Sequence, residues 1–366
     1  MTVEAPPALL PDAQSSPERR PPSRRPRQSK RIAVLYNVDF EDACPEDDPM
    51  WASRADVAFV ATSVATALAS TGHEPHLVGI DGDLAALRGK LLELEPDCAF
   101  NLCESLVGDA RLESAVPLVL ELLGVPFTGS PPEVLGFALR KDRVKQRLEA
   151  AGIPTPAGRV LSRADDPCDL AFPLIVKPVR EDGSAGISRT SVVRSEAELR
   201  REVEIILASF KQPALVEEYV DGRELYLGVL GNKRLTVFPP RELFFEHESA
   251  EDDAPKFATA KAKWDDGYRK KWKIRNGPAG PLPQGLERRL AELARRVYRI
   301  LNIRGLGRID VRLSTAGEVV VIEANPNPSL AQEDDFAQAA AQVGIGYEAL
   351  IQKILENAQK WSGAGT

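Results

Sequence analysis

From Ile32 onward, short apolar runs alternate with longer segments whose apolar residues recur every three or four positions. IAVLY (32–36) reads as a buried strand, residues 53–72 as a helix opened by Ser53 and stopped by Gly72, and residues 73–80 as a second strand. Residues 84–96 follow as a helix, 97–102 as a strand and 112–124 as a helix. Strands separated by helices predict a parallel α/β sheet. No glycine precedes Gly72, so the phosphate-cradling turn that a dinucleotide-binding first strand needs is missing.

After the stretch 127–158 the pattern becomes mixed α+β. Residues 127–152 read as helices ending at Gly152, and 171–179 as a strand carrying Lys177. The loop REDGSAG (180–186) precedes a returning strand at 187–193, and Ser195 with Glu198 forms a capping-box signature for a helix over 195–210. Two strands, 213–220 and 224–232, flank Asp221-Gly222 and read locally as a hairpin. The polar stretch 246–281 is predicted to be a mobile loop, and 286–302 a strongly amphipathic helix. Strands at 307–314 and 317–325 are joined by the tight turn Thr315-Ala316-Gly317, and a helix over 348–360 closes the pattern. Residues 1–30, rich in Pro, Ser and Arg, cannot bury enough surface to order themselves and are expected to form a disordered tail. The expected organisation is therefore a tail (1–30), an α/β domain (31–130) and two α+β subdomains (131–214 and 215–366).

Composition narrows the function classes. The 366 residues carry 43% hydrophobic and 28% charged residues, an ordinary soluble balance. A net charge of −7 argues against nucleic acid as a partner. There is no apolar run long enough to span a membrane and no secretory h-region, so a cytoplasmic location is expected. Cys44, Cys98, Cys103 and Cys168 lack metal-type spacing and read as reduced thiols; His73 and His76 read as structural.

Three stretches carry chemistry. In VVVIEANPNPSL (319–330) an apolar strand runs into Glu323, Asn325 and two prolines, which end the ladder because they donate no backbone N–H. Strand alternation turns Glu323 and Asn325 to one face. In GRIDVRL, Arg308, Asp310 and Arg312 likewise share a face, and hairpin pairing brings Asp310 beside Glu323 and Asn325. Two carboxylates and an amide suit Mg²⁺ whose shell is completed by substrate phosphates. A strand surfacing into a polar turn, or a cross-strand salt bridge, is the alternative. Lys177 before a glycine loop offers a point charge and close backbone N–H groups for phosphate, and Glu217 and Glu224 offer acceptors for an amino group and hydroxyls. Each of these alone is also an unremarkable hairpin.

Together, FPLIVKPVREDGSAGIS, LVEEYVDGRELYLGVL and GLGRIDVRL…VVVIEANPNP resemble the ATP-grasp superfamily, most closely the D-alanine–D-alanine ligases, over about residues 31 to 360. The resemblance implies ATP held between two α+β subdomains behind an α/β N-terminal domain. LGVPFTGS and AAGIPTP resemble the linkers framing a helix whose lysine binds nucleotide, here Lys141. By the same matching Lys177 contacts phosphate, Glu217, Tyr219 and Val220 line the adenine, and Glu224 takes the ribose. Asp310, Glu323 and Asn325 hold Mg²⁺, or Mn²⁺ in its place, while Arg308, Ser184 and Lys263 serve the reacting centre. The implied activity is an ATP-dependent carboxylate–amine ligase working through an acylphosphate on small-molecule substrates. A homodimer is compatible with the family, and an inactive ATP-binding scaffold is the alternative function.

The resemblance departs from the family pattern at four places. The region after the first strand, NVDFEDACPEDDP, is glycine-free and acidic where the ligases place one ammonium-binding glutamate. Trp264 follows Lys263 where they have tyrosine. Their loop serine falls on Gly183, one place before Ser184. Glu333, Asp334 and Asp335 occupy the segment that binds a carboxylate in the ligases; three acids repel a carboxylate, so the expected acceptor is amine-rich or uncharged. The alternative is that these acids cap a helix beginning near Phe336.

Overall fold

The computed structural model describes residues 29–38, 51–245 and 257–362, without the side chains of 51–55, 260, 264, 266 and 360–362. The expectations for residues 1–28, for the acidic stretch 39–49, for 246–256 and for the Trp264 side chain therefore lie outside the described residues.

The N-terminal part contains β1 (Arg31–Asn37), α1 (Trp51–Ser70), β2 (Glu74–Ile80), α2 (Leu84–Leu94), β3 (Cys98–Asn101) and α3 (Ala115–Leu123). The strands form a parallel sheet in the order β2-β1-β3. Residues 32–35 are fully buried because helices cover both faces, which explains the unbroken apolar run of β1. Ile32 and Val34 face α1, while Ala33 and Leu35 face α2 and α3.

Next come α4 (Pro132–Ala138), α5 (Lys141–Ala150), β4 (Gly158–Leu161), β5 (Leu174–Pro178), β6 (Val192–Val193), α6 (Glu196–Phe210) and β7 (Ala214–Glu218). The strands pair antiparallel in the order β4-β7-β5-β6, with α6 packed on one face through Leu199, Val203 and Ile206. The Ser195 hydroxyl accepts from the Glu198 amide at 3.3 Å, the capping contact that its sequence position predicts.

The last part holds β8 (Gly222–Gly231), β9 (Leu235–Val237), β10 (Arg241–Phe245), α7 (Ala260–Trp264), α8 (Asp266–Lys271), β11 (Ile274–Pro278), α9 (Leu286–Ile300), β12 (Leu306–Ser314), β13 (Val319–Asn325), α10 (Asp335–Gln342) and α11 (Tyr347–Ser362). Its sheet runs β11-β10-β8-β12-β13, with β9 paired to β8. Leu286, Leu290, Ala294 and Val297 form the buried stripe of α9 and cover Ile309, Val311 and Leu313. The opposite face of β12 is thereby left to Arg308, Asp310 and Arg312.

The structure corrects four local expectations. β7 and β8 do not form a hairpin: β7 pairs with β4 and β5, whereas β8 pairs with β9, β10 and β12, so Asp221-Gly222 joins two sheets. The described part of 246–281 is ordered as α7, α8 and β11, because Ala258, Ala262 and Ile274 pack on Tyr226 and Leu243. Residues 187–193 yield only the two-residue β6 after a 3-10 turn at Arg189–Ser191, where Ser188 caps the turn. The short β4, which the pattern did not reveal, adds an edge to the second sheet.

Candidate active site

The join between the two antiparallel sheets is built on the polar face of β12. Asp310 pairs in register with Glu323, and Arg308 with Asn325, with a bulge following Asp310. Opposed residues of an antiparallel pair project to the same side, so the two carboxylates and the amide lie together. Asn325 is fixed by the Asn327 amide, which donates to its Oδ1 at 2.9 Å. Arg308 grips Asp310 through Nε and Nη2 at 2.8 and 2.9 Å and stacks 5.0 Å from the Tyr226 ring. The Lys141 ammonium, at the start of α5, pairs with Glu323 and donates to the Glu181 carbonyl. The cross-strand salt bridge proposed as an alternative does form, but elsewhere: Arg312 bonds Glu224 at 3.0 Å, and Tyr226 donates to Glu224 at 2.8 Å.

The two central carboxyls are pushed in opposite directions. Burial would raise Glu323, but the ammonium groups of Lys141, Lys177 and Lys263 outweigh it and hold the carboxyl well below its ordinary value. For Asp310 burial wins over Arg308 and Lys263, and with Glu323 opposite, its carboxyl is raised. Among the described residues no group of three or more His, Cys, Asp or Glu forms a metal cage. The set Asp310, Glu323 and Asn325 has two carboxylates and one amide oxygen, a hard-oxygen donor set that fits Mg²⁺ only with further ligands from a substrate.

Beside this pair lies a buried cluster that sequence reasoning only half anticipated. Glu217 on β7 pairs with Lys177 on β5 and with Lys145 on α5, the latter at 2.7 Å. Lys145 also bonds the Thr155 hydroxyl at 3.2 Å and the Pro156 carbonyl. Burial opposes ionisation of Glu217, but the two ammonium groups prevail and lower its carboxyl. Lys145 was legible only as one of several charges on α5; its spacing of four from Lys141 puts both on one helix face. A small cavity is lined by Lys141, Lys145, Lys177, Glu217 and Glu323 together. Tyr219 and Val220 lie half-buried between the sheets, with the Tyr219 ring edge-on to Phe257 at 6.1 Å.

The same polar face of β12 opens onto a larger cavity of about 650 Å³. Arg308, Asn325, Lys263, Arg269 and Arg275 line it, and Asp182 and Gly183 from the glycine loop form part of the wall. Ser184 is half-buried in the same loop at φ +65°, next to Gly183 at φ +62°. The remaining wall includes Glu104 and Ser105 from the loop after β3 and the stretch Glu333 to Phe336. Asn37 at the end of β1 holds that loop, its side-chain Oδ1 accepting from the Glu104 backbone N–H at 2.9 Å. Of the three acids at 333–335, Asp335 is neutralised: Arg241 bonds it at 3.1 Å and Asn276 donates to it. Asp334 occupies the N-cap position of α10 and Asp335 its first turn, so these two acids do sit at the positive end of a helix, although the Asp334 carboxylate makes no cap bond and bonds Ser329 instead.

An α/β sheet followed by two antiparallel sheets meeting over such a cluster is the ATP-grasp architecture. The D-alanine–D-alanine ligase of Bacillus anthracis, solved in complex with ATP, superposes with a TM-score of 0.70 at 21% identity, covering 92% of this chain and 99% of that one. The ligase of Coxiella burnetii does so with a TM-score of 0.66 at 17% identity, over 92% of this chain and 95% of its own. The model of the D-ala D-ala ligase C-terminus matches residues 151–356, and the chain belongs to that family. It is 34% identical over 349 residues to the uncharacterized protein y4sG of Sinorhizobium fredii, covering 90% of this chain and 97% of the relative. It is 30% identical over 330 residues to the D-alanine–D-alanine ligase of Erythrobacter litoralis, covering 86% and 93%. No helix among the described residues is long and apolar enough to cross a membrane.

Proposed function

We propose that the protein is an ATP- and Mg²⁺-dependent carboxylate–amine ligase that joins two small molecules through an acylphosphate in the cytoplasm. The observation that carries this reading is the in-register pair Asp310 and Glu323, set between buried Lys141 and Lys177 and a cavity faced by Arg308. Lys141 and Lys177 supply two point charges for the phosphates of ATP. Tyr219 and Val220, with Glu217, are assigned to the adenine at the connection between the sheets, and Glu224 to the ribose. Asp310, Glu323 and Asn325 would hold Mg²⁺, or Mn²⁺, which neutralises phosphate charge when bound.

In the first step a substrate carboxylate oxygen attacks the γ-phosphorus; the new P–O bond forms as the bond to the bridging oxygen breaks, and ADP leaves. In the second an amine attacks the acyl carbon, the C–O bond to phosphate breaks, and inorganic phosphate and the amine proton depart. Arg308 and Lys263, both on the cavity wall, are the cations that meet the charge developing on the transferred group. The glycine loop with Ser184, and the segment carrying α7 and α8, cover the reactants and exclude water, which an acylphosphate would otherwise consume. The test is ADP release by the full chain with MgATP against a panel of amino acids and diamines. Amino-acid-dependent ADP release is expected; ATP binding without ADP release from any pair of substrates would instead leave a nucleotide-binding scaffold.

A further inference from the structure

The large cavity is lined by more acids than cations. Its cations are Arg308, Lys263, Arg269 and Arg275; Arg269 bonds the Ala262 carbonyl and Asn276, Arg275 stacks on the Phe244 ring, and Arg308 and Lys263 are the two assigned above to the reacting centre. The same wall carries Glu104, Glu333 and Asp334, with Asp56 lining an adjoining pocket that Glu104 shares, and the Arg308 charge is felt by both Glu104 and Asp334. These acids come from three separate parts of the chain, so no single helix end or loop explains their convergence. Arg308 is already committed to Asp310, and Arg241 to Asp335. Neither Glu104 nor Glu333 has a hydrogen-bond or ion-pair partner for its carboxylate among the described residues. Glu104 keeps accessible surface, yet that surface faces the cavity, and enclosure pushes its carboxyl up to about 8, with Asp182, Asp334 and Asp56 adding to the rise against Arg308.

We propose that this cavity takes a basic amino acid or basic peptide end, its carboxylate toward Arg308 and Lys263 and its ammonium or guanidinium side chain between Glu104 and the Glu333–Asp334 wall. The cavity itself indicates a ligand; its unpaired carboxylates specify the charge of that ligand. A like-charged cluster facing a confined space is relieved either by holding a proton, as the raised Glu104 carboxyl does, or by a cation; a basic side chain supplies that cation and releases the proton, whereas a short apolar side chain does neither. The volume of about 650 Å³ has room for a longer side chain. Asp335 has no part in this selection, since Arg241 balances it.

The inference rests on the ligase reading only in taking this cavity as the substrate site, and the two are separable by experiment. Calorimetric binding of arginine and of its neutral isostere citrulline to the full chain tests the cavity, and ADP release with MgATP and the same two compounds tests the reaction. Arginine is expected to bind at least about tenfold more tightly than citrulline, with the same preference in kcat/KM. Glu104→Gln and Asp334→Asn should each weaken arginine about tenfold without changing ATP affinity, which also reports that the variants fold. Equal binding of the pair, binding of neither, or a preference for citrulline or D-alanine overturns the inference whatever the turnover. Selective arginine binding with no ADP release from any panel substrate upholds the cavity's charge selection and removes the ligase reading instead.

Discussion

Asp310 and Glu323 oppose each other on β12 and β13, and each is held by a different cation: Arg308 from its own strand grips Asp310, and Lys141 from α5 grips Glu323. One carboxyl is raised and the other lowered by these surroundings. The pairing ties α5, whose Val144 and Leu148 pack into the core shared with α9, to the edge strand β13. It also keeps two buried negative charges compensated at the point where the proposed metal and phosphates meet.

Glu323→Gln is expected to lower ADP formation by at least about 100-fold and to weaken the apparent affinity for Mg²⁺, since it removes one of only two carboxylates in the donor set. It also leaves Lys141 without its counter-charge in a buried setting, so the folded state should lose a few kcal/mol. Turnover titrated against Mg²⁺, with the unfolding midpoint measured in parallel, checks both. Unchanged turnover at limiting Mg²⁺ would remove Glu323 from the metal site.

Lys145 offers a separate test of the buried cluster around Glu217. Lys145→Met keeps the length of the side chain but removes its bonds to Glu217, Thr155 and Pro156. Breaking a buried pair by removing one partner typically costs about 3–5 kcal/mol. The KM for ATP should rise about tenfold while the KM for the amino-acid substrates stays put. A variant as stable as the parent in guanidinium would show that Lys145 contributes no net pairing.

How far the sequence reveals this arrangement depends on whether a feature is local. The β12–β13 hairpin was legible because alternation and a tight turn encode both the register and the shared face of Asp310, Glu323 and Asn325. The parallel sheet was legible because β1 has a fully apolar run. The connection at Asp221-Gly222 was misread because an Asp-Gly pair between apolar runs is the ordinary hairpin signal, and only tertiary pairing assigns the flanking strands to different sheets. α7, α8 and β11 were hidden by lysine and tryptophan in a stretch whose buried positions are few. Lys145 and Glu104 were missed for the same reason: each is one charge among others in the sequence. Their roles arise from partners far along the chain, Glu217 for the lysine and Asp182 and Asp334 for the glutamate.

Gly222 marks that connection with a backbone requirement. Its φ is +142°, and a Cβ there would lie 2.1 Å from the Leu313 carbonyl oxygen. The obstacle is backbone of the neighbouring β12, which cannot rotate away. Gly222→Ala should therefore destabilise the protein by about 3 kcal/mol or more and disturb the start of β8, where Glu224 lies. A urea titration that leaves the midpoint within error of the parent would contradict this account of the junction.

The cavity acid Glu104 gives stability a pH dependence of definite sign. Its ordinary value is 4.5, and in the folded protein enclosure raises it to about 8, with the charges of Asp182, Asp334 and Asp56 adding to the rise and Arg308 opposing it. Between these values the unfolded chain has released a proton that the folded chain still holds, so the folded state binds more protons and stability falls as pH rises. The contribution is fully present below about pH 4.5 and is lost by about pH 8. Glu113, also raised by burial, slopes the same way, so the diagnostic quantity is the difference between the parent and Glu104→Gln. Guanidinium midpoints measured at intervals from pH 5 to 8.5 should show the parent losing stability more steeply than the variant. Bound arginine should flatten the parent's slope, because a cation beside Glu104 favours its ionised form. Parallel lines for parent and variant would mean that Glu104 titrates as it would in open solvent, outside this window.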